Sequence, residues 1–199
     1  MLAGVVVGTA VAALQWLGPA VPASHAADLN PYQEAKQMVY GPTADGSIRG
    51  CPSNVNPNCI STGSIDDAYS PAWRSGEPSP AQAAEVLEDV VLSRLEGVRL
   101  LRSLSLQSGA EYRAFGVQSL FGEDVMEFVI KPESVQDRKW QGDVPGPLVT
   151  YRSMAGSVKY VWPIQQPLGD FDAQRKRLKL VRDELGWQII GCELLECYQ

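Results

Sequence analysis

The sequence predicts an α+β fold, with an antiparallel sheet of about four to five strands, two main helices packed on it, and a long proline-rich arm in front. Three observations predict it. Helical periodicity occurs twice, around residues 80–95 and 171–185, strand-like alternation fills most of the interval between, and turn or breaker dipeptides crowd the stretch before the first helix. A length of 199 residues suits one domain plus an arm, with room for a real core.

The arm runs from Ala27 to Ser79 and carries Asn30-Pro31, Gly41-Pro42, Asp45-Gly46, Asn56-Pro57, Ser70-Pro71 and Glu77-Pro78, with Tyr32 to Tyr40 as its one short helical candidate. The α+β domain spans 80–199. Its first helix starts at Ser79 as N-cap with Pro80 in the first turn and Gln82 three residues after the cap, places Val86, Leu87, Val90, Val91 and Leu95 on one face, and stops at Gly97. Val98, Leu100, Leu104 and Leu106 alternate with polar residues as a strand. Glu111 to Ser119, Asp124 to Lys131 and Leu148 to Met154 follow as three more, with Met126, Phe128 and Ile130 on one face. Asp170 or Asp172 caps the last helix, whose Phe171, Leu178, Val181 and Leu185 point inward while Arg175, Lys176, Lys179 and Arg182 point out, and Gly186 stops it. Trp187 to Ile190 adds a short strand.

Residues 1–26 contain no Lys, Arg, Asp or Glu. Leu2 to Leu14 is an apolar h-region, Pro19 and Pro22 break it, and Ser24-His25-Ala26 offers small residues for cleavage before Ala27, so the segment is predicted to be an export or transit signal that is removed. A retained membrane anchor is the alternative. No basic n-region precedes the apolar run, the pattern of a bipartite presequence whose first half is absent or of a misassigned start. The sole histidine, His25, falls inside this segment, so the mature domain is expected to work without imidazole. That excludes Ser-His-Asp and Cys-His relays and His-ligated metal sites. A net charge of −6 argues against a general nucleic-acid binder.

Cys51, Cys59, Cys192 and Cys197 are disulfide candidates in an exported chain. Four cysteines allow three connectivities. Local 51–59 and 192–197 bridges are the simplest, an arm-to-carboxy-end staple is the most stabilising on loop entropy, and the spacing is neither CxxC nor that of a zinc ribbon. No metal or other cofactor is expected.

Gly50-Cys51-Pro52-Ser53, Pro57-Asn58-Cys59-Ile60-Ser61, Tyr151-Arg152-Ser153-Met154-Ala155-Gly156 and Leu168-Gly169-Asp170 followed by Arg175, Arg177 and Arg182 together resemble the uncharacterised family called domain of unknown function 1499. The resemblance covers roughly residues 50–186, and its most specific parts are Pro57-Asn58-Cys59 and Arg152-Ser153. Gly156 departs from it, standing where the family usually has Arg, and the Ser157 to Pro167 loop is longer and more aromatic. The resemblance implies a thylakoid lumen protein of an alga or plant chloroplast.

Arg152, Ser153, Asp170, Arg175 and Arg177 are the candidate ligand-binding residues, expected to converge where the last long strand meets the last helix and to offer guanidinium groups to a carboxylate or phosphate. A surface salt-bridge cluster of Arg175 and Arg177 with Asp170 or Asp172 is the competing reading. Trp140 and Trp162, each in a Gly/Pro-rich loop, are the interface candidates. No residue is assigned a catalytic role. The leading expectation is a non-catalytic lumen protein, peripheral to the membrane, serving as auxiliary or assembly subunit of a photosynthetic complex such as a photosystem. The alternatives are a small anionic-ligand binder or slow enzyme using the Arg cluster, and a thiol-redox sensor at Cys192 and Cys197.

Overall fold

A computed structural model gives the structure of residues 39–52, 56–120, 122–132, 145–164 and 166–190. The predicted targeting segment with His25, most of the Tyr32–Tyr40 stretch, Trp140 and the Cys192/Cys197 pair lie outside the described residues.

The elements in chain order are β1 (Cys59–Ser61), β2 (Trp73–Arg74), α1 (Pro80–Arg94), β3 (Val98–Ser105), β4 (Glu111–Ser119), β5 (Gly122–Lys131), β6 (Leu148–Met154), β7 (Tyr160–Val161), β8 (Gln166–Pro167), α2 (Ala173–Leu185) and β9 (Gln188–Ile189). Antiparallel pairing joins β3 to β4, β4 to β5 and β5 to β6, with Phe115 opposite Met126 and Phe128 opposite Tyr151. The far edge of β6 is shared: β2 covers its first half and leads on to β9, while β1 covers its second half, making a seven-stranded sheet. The two strands beyond the expected five, β1 and β2, come from the stretch read as loop-rich arm. They are three and two residues long, too short for a periodicity signal, and form because the open edge of β6 presents unpaired backbone groups to the passing chain.

Both helices lie on one face of the sheet, enclosing Phe115, Met126, Phe128, Tyr151, Trp73 and the residues packed around them. Ser79 caps α1 by accepting the Gln82 amide at 3.3 Å, and Pro80 occupies a first-turn position where its missing N–H costs nothing. The buried face of α1 is Ala83, Ala84, Leu87 and Val91, whereas Val86, expected inward, is exposed. The two alanines let the helix approach the sheet along their own line, rotating Val86 to the rim.

In α2 the inward residues are Gln174, Leu178 and Val181, with Leu185 half-buried. Phe171, also expected inward, is 76% exposed. The helix begins only at Ala173, and φ values of 59° at Phe171 and 62° at Asp172 turn the preceding chain away, so Gln174 takes the place on the inward stripe.

The opposite face of the sheet is covered as well. Tyr112, Ala114 and Val129 pack there with Ile48 from the arm and with Leu101, Leu104 and Leu106. Arm and sheet are tied by a Cys51–Cys59 disulfide with a Cα separation of 5.9 Å, the local pairing among those open from sequence. Because this bridge closes a loop eight residues long, Cys51→Ser is expected to cost about 2.5 kcal/mol in oxidising buffer and almost nothing in reducing buffer. Equal urea midpoints for mutant and parent under oxidation would contradict that.

Candidate functional site

Strand alternation divides the predicted ligand residues between the two faces of the sheet. Arg152 and Ser153 are neighbours on β6 and therefore point to opposite sides.

Arg152 lies on the face covered by the arm, where its side chain is 3% exposed. Its guanidinium pairs with Glu127 at 2.6 Å and donates to the carbonyls of Gly50 at 2.9 Å and Val39 at 2.6 Å. Glu127, fully buried on β5, also accepts the Tyr112 hydroxyl at 2.7 Å and the Gly41 amide at 2.8 Å. Burial, with the neighbouring Glu127 carboxylate, raises the pKa of Tyr112, keeping its hydroxyl a neutral donor. The group links β4, β5 and β6 to the arm, so Arg152 fastens the 39–50 segment to the sheet.

Ser153, on the helix-bearing face, joins a second network that contains Asp170 and Arg177. Ser153 hydrogen-bonds the Gln174 side-chain carbonyl, and the Gln174 amide donates at 2.9 Å to both Asp124 and Asp170. Arg177 reaches Asp124 with both terminal nitrogens at 3.2 Å and also donates to Gln174. Asp124 is 1% exposed and further accepts the Ser119 hydroxyl at 2.7 Å and the Gly156 amide at 3.0 Å. The salt-bridge partner of Arg177 is thus Asp124, not Asp170 or Asp172. Gly156 sits so close to β5 that a Cβ there would stand 2.2 Å from the Glu123 carbonyl oxygen. The place where the resembling family carries Arg has no room for a side chain in this chain.

Asp170 has a local task too: its carboxylate accepts the Ala173 amide at 3.2 Å at the start of α2. Its own amide donates to Asn58 at 2.7 Å, while the Asn58 side-chain amide donates to the Leu168 carbonyl at 2.8 Å. The Pro57-Asn58-Cys59 and Leu168-Gly169-Asp170 elements are thereby clamped together. Arg175 stands apart from this network, pointing outward and donating to the Asp67 carbonyl at 3.2 Å.

Asp124, Gln174 and Glu127 are the residues that sequence reasoning missed. The signal for Asp124 was present, since it shares the period-2 face of Met126, Phe128 and Ile130, and Gln174 lies four residues before Leu178 on the buried helical stripe. Among the described residues no group of three or more His, Cys, Asp or Glu side chains could hold a metal ion, and no helix is long and apolar enough to cross a membrane.

The exposed counterpart of these buried networks is a ridge between β6 and α2. β7 and β8 form a two-rung hairpin, Tyr160 opposite Pro167 and Val161 opposite Gln166, with a cis Trp162–Pro163 peptide at its tip. Trp162 is 81% exposed and Ile164 73%, and Val161, Leu168 and Phe171 add further exposed apolar surface along the same segment. Trp162, an interface candidate from the sequence, is therefore solvent-facing.

Fold and site define a small α+β domain whose buried polar residues fasten its own chain and whose apolar ridge faces outward. No family model matches the chain, and no solved structure matches it. Among curated proteins it is similar to the thylakoid lumenal 17.9 kDa protein, chloroplastic, of Arabidopsis thaliana, at 29% identity over 166 residues, covering 83% of this chain and 67% of that relative. The chain is accordingly a thylakoid-lumen protein of the chloroplast, the location expected from reading residues 1–26 as a transit signal and from the motif resemblance.

Proposed function

We propose that this protein is a non-catalytic auxiliary or assembly subunit that docks on the lumen side of a photosynthetic membrane complex, with a photosystem as the first candidate. The observation that carries the reading is the ridge of Trp162, Ile164 and Phe171, each more than 70% exposed, whereas Trp73, Phe115, Phe128 and Trp187 are buried. Large apolar side chains clustered at a loop tip lose free energy in water and regain it against a partner, and Trp is the residue most enriched among binding hot spots. The positive φ at Phe171 and Asp172 supports the same reading, because such backbone costs of order 1 kcal/mol each and here holds an aromatic ring outward. Within this reading the motif resemblance to domain of unknown function 1499 is proposed as true kinship.

The test is affinity purification of the mature protein from detergent-solubilised thylakoids, beside the double variant Trp162→Ser/Ile164→Ser. The parent is expected to recover a photosynthetic complex, and the variant to bind it about 30-fold more weakly or worse with an unchanged melting temperature, since both side chains are exposed. Equal recovery by both would overturn the proposal.

A further inference from the structure

A cavity of about 190 Å³ opens between α2 and the β1–β2 edge of the sheet. Its floor is apolar: Ile60, Trp73, Tyr151 and Leu178, all buried, with the Trp73 and Tyr151 rings 4.2 Å apart between centroids. The Tyr151 hydroxyl is bonded to Ser70 and to the Pro71 carbonyl at 2.8 Å each, so the floor offers no free hydroxyl to an occupant.

The mouth has the opposite character. Arg175, Lys176, Lys179 and Arg182 line it from successive turns of α2, against one carboxylate, Asp172. The chain as a whole carries −6, so this is a local reversal of sign. Arg182 pairs with Asp183, but Arg175 and Lys176 are held by neutral groups, the carbonyls of Asp67 and Phe171, which orient the cations without cancelling their charge. A cationic rim over a low-dielectric floor favours an occupant with an anionic head and an apolar body.

Size narrows the class. An apolar protein cavity of roughly 150 Å³ accepts benzene, so 190 Å³ fits one six-membered ring with a small substituent. We infer that this cavity binds a small molecule made of a single aromatic ring bearing a carboxylate, with the ring against the apolar floor and the carboxylate at Arg175 and Lys176. The site adjoins the docking ridge through the Lys176 contact to the Phe171 carbonyl but uses none of its exposed apolar side chains, and it shares only Arg175 with the ligand residues read from sequence.

The experiment is a ¹H–¹⁵N and methyl NMR titration of the mature protein with benzoate, with benzyl alcohol as the neutral analogue and inorganic phosphate as the bare anion. Saturable benzoate shifts at the Trp73 indole, Ile60 and Leu178 are expected, at least about tenfold tighter than for benzyl alcohol and absent at those positions with phosphate. Arg175→Gln/Lys176→Gln, two exposed positions, should weaken benzoate binding about tenfold without moving the melting temperature. No shifts at these residues with benzoate, equal binding of benzyl alcohol, or an unaltered affinity in the double variant would each overturn the assignment.

Discussion

Replacing Arg152 with alanine is expected to cost about 3–5 kcal/mol of stability, because it strips the ion-pair partner from a carboxylate, Glu127, that is fully buried. The loss is larger than that of a surface pair for a physical reason. An exposed Glu left alone is solvated by water, whereas Glu127 would retain only the Tyr112 hydroxyl and the Gly41 amide in a setting closed by the arm. Two arm carbonyls, Gly50 and Val39, lose their donor in the same step. Urea unfolding should show the drop, and amide exchange should show residues 39–50 opening before the sheet does. In a double-mutant cycle, adding Glu127→Gln to Arg152→Ala should recover part of the loss, since the orphaned charge is then gone. A cost below about 1 kcal/mol for Arg152→Ala would mean that the arm is held by other contacts.

Asp124→Ala is expected to cost a similar amount, about 3–5 kcal/mol, through the other face of the sheet. Asp124, on β5, joins three other parts of the structure: Arg177 and Gln174 on α2, Ser119 at the end of β4, and the Gly156 amide after β6. Removing it leaves a mostly buried guanidinium and several donors without their acceptor. Asp124→Asn should be milder, keeping an acceptor for Ser119 and Gly156 while losing the charge opposite Arg177. The distinguishing readout is amide exchange in α2, which should speed up selectively for Asp124→Ala and stay unchanged for Arg152→Ala, because the two networks sit on opposite faces. Uniform acceleration in both variants would show that the sheet couples them.

These two networks explain how much of the site was legible in the sequence. The main elements were readable because they are long and periodic: α1 begins at its Ser79-Pro80 signal, and β4 and β6 have the expected bounds. The convergence of Ser153, Asp170 and Arg177 at the meeting of β6 and α2 was readable from chain order. What periodicity could not supply was the side of the sheet on which each residue's partners lie. Arg152 is adjacent to Ser153 in sequence yet is bonded to the arm, and finding Glu127 as its partner requires the β5–β6 register that sets the two opposite each other. Phe171 was misplaced for a related reason. It fits the helical stripe by spacing alone, and only the left-handed backbone at Phe171 and Asp172 takes it off that stripe. The motifs that carry the family resemblance turn out to be clamps: Gly50 receives Arg152, and Asn58 holds the Leu168–Asp170 turn. Such residues specify a fold, which is why the resemblance they carry indicates no reaction.

With Arg152, Ser153, Asp170 and Arg177 occupied in holding the chain together, the proposed docking rests on the exposed Trp162 ridge. The most direct measurement of that claim is site-specific photo-crosslinking in intact thylakoids, with a photoreactive phenylalanine analogue at position 162 and, as control, at position 92 on the exposed side of α1. The account predicts a defined adduct from position 162 to a lumen-exposed segment of a photosynthetic membrane complex, and none from position 92. No adduct from position 162, or the same adduct from both positions, would contradict it.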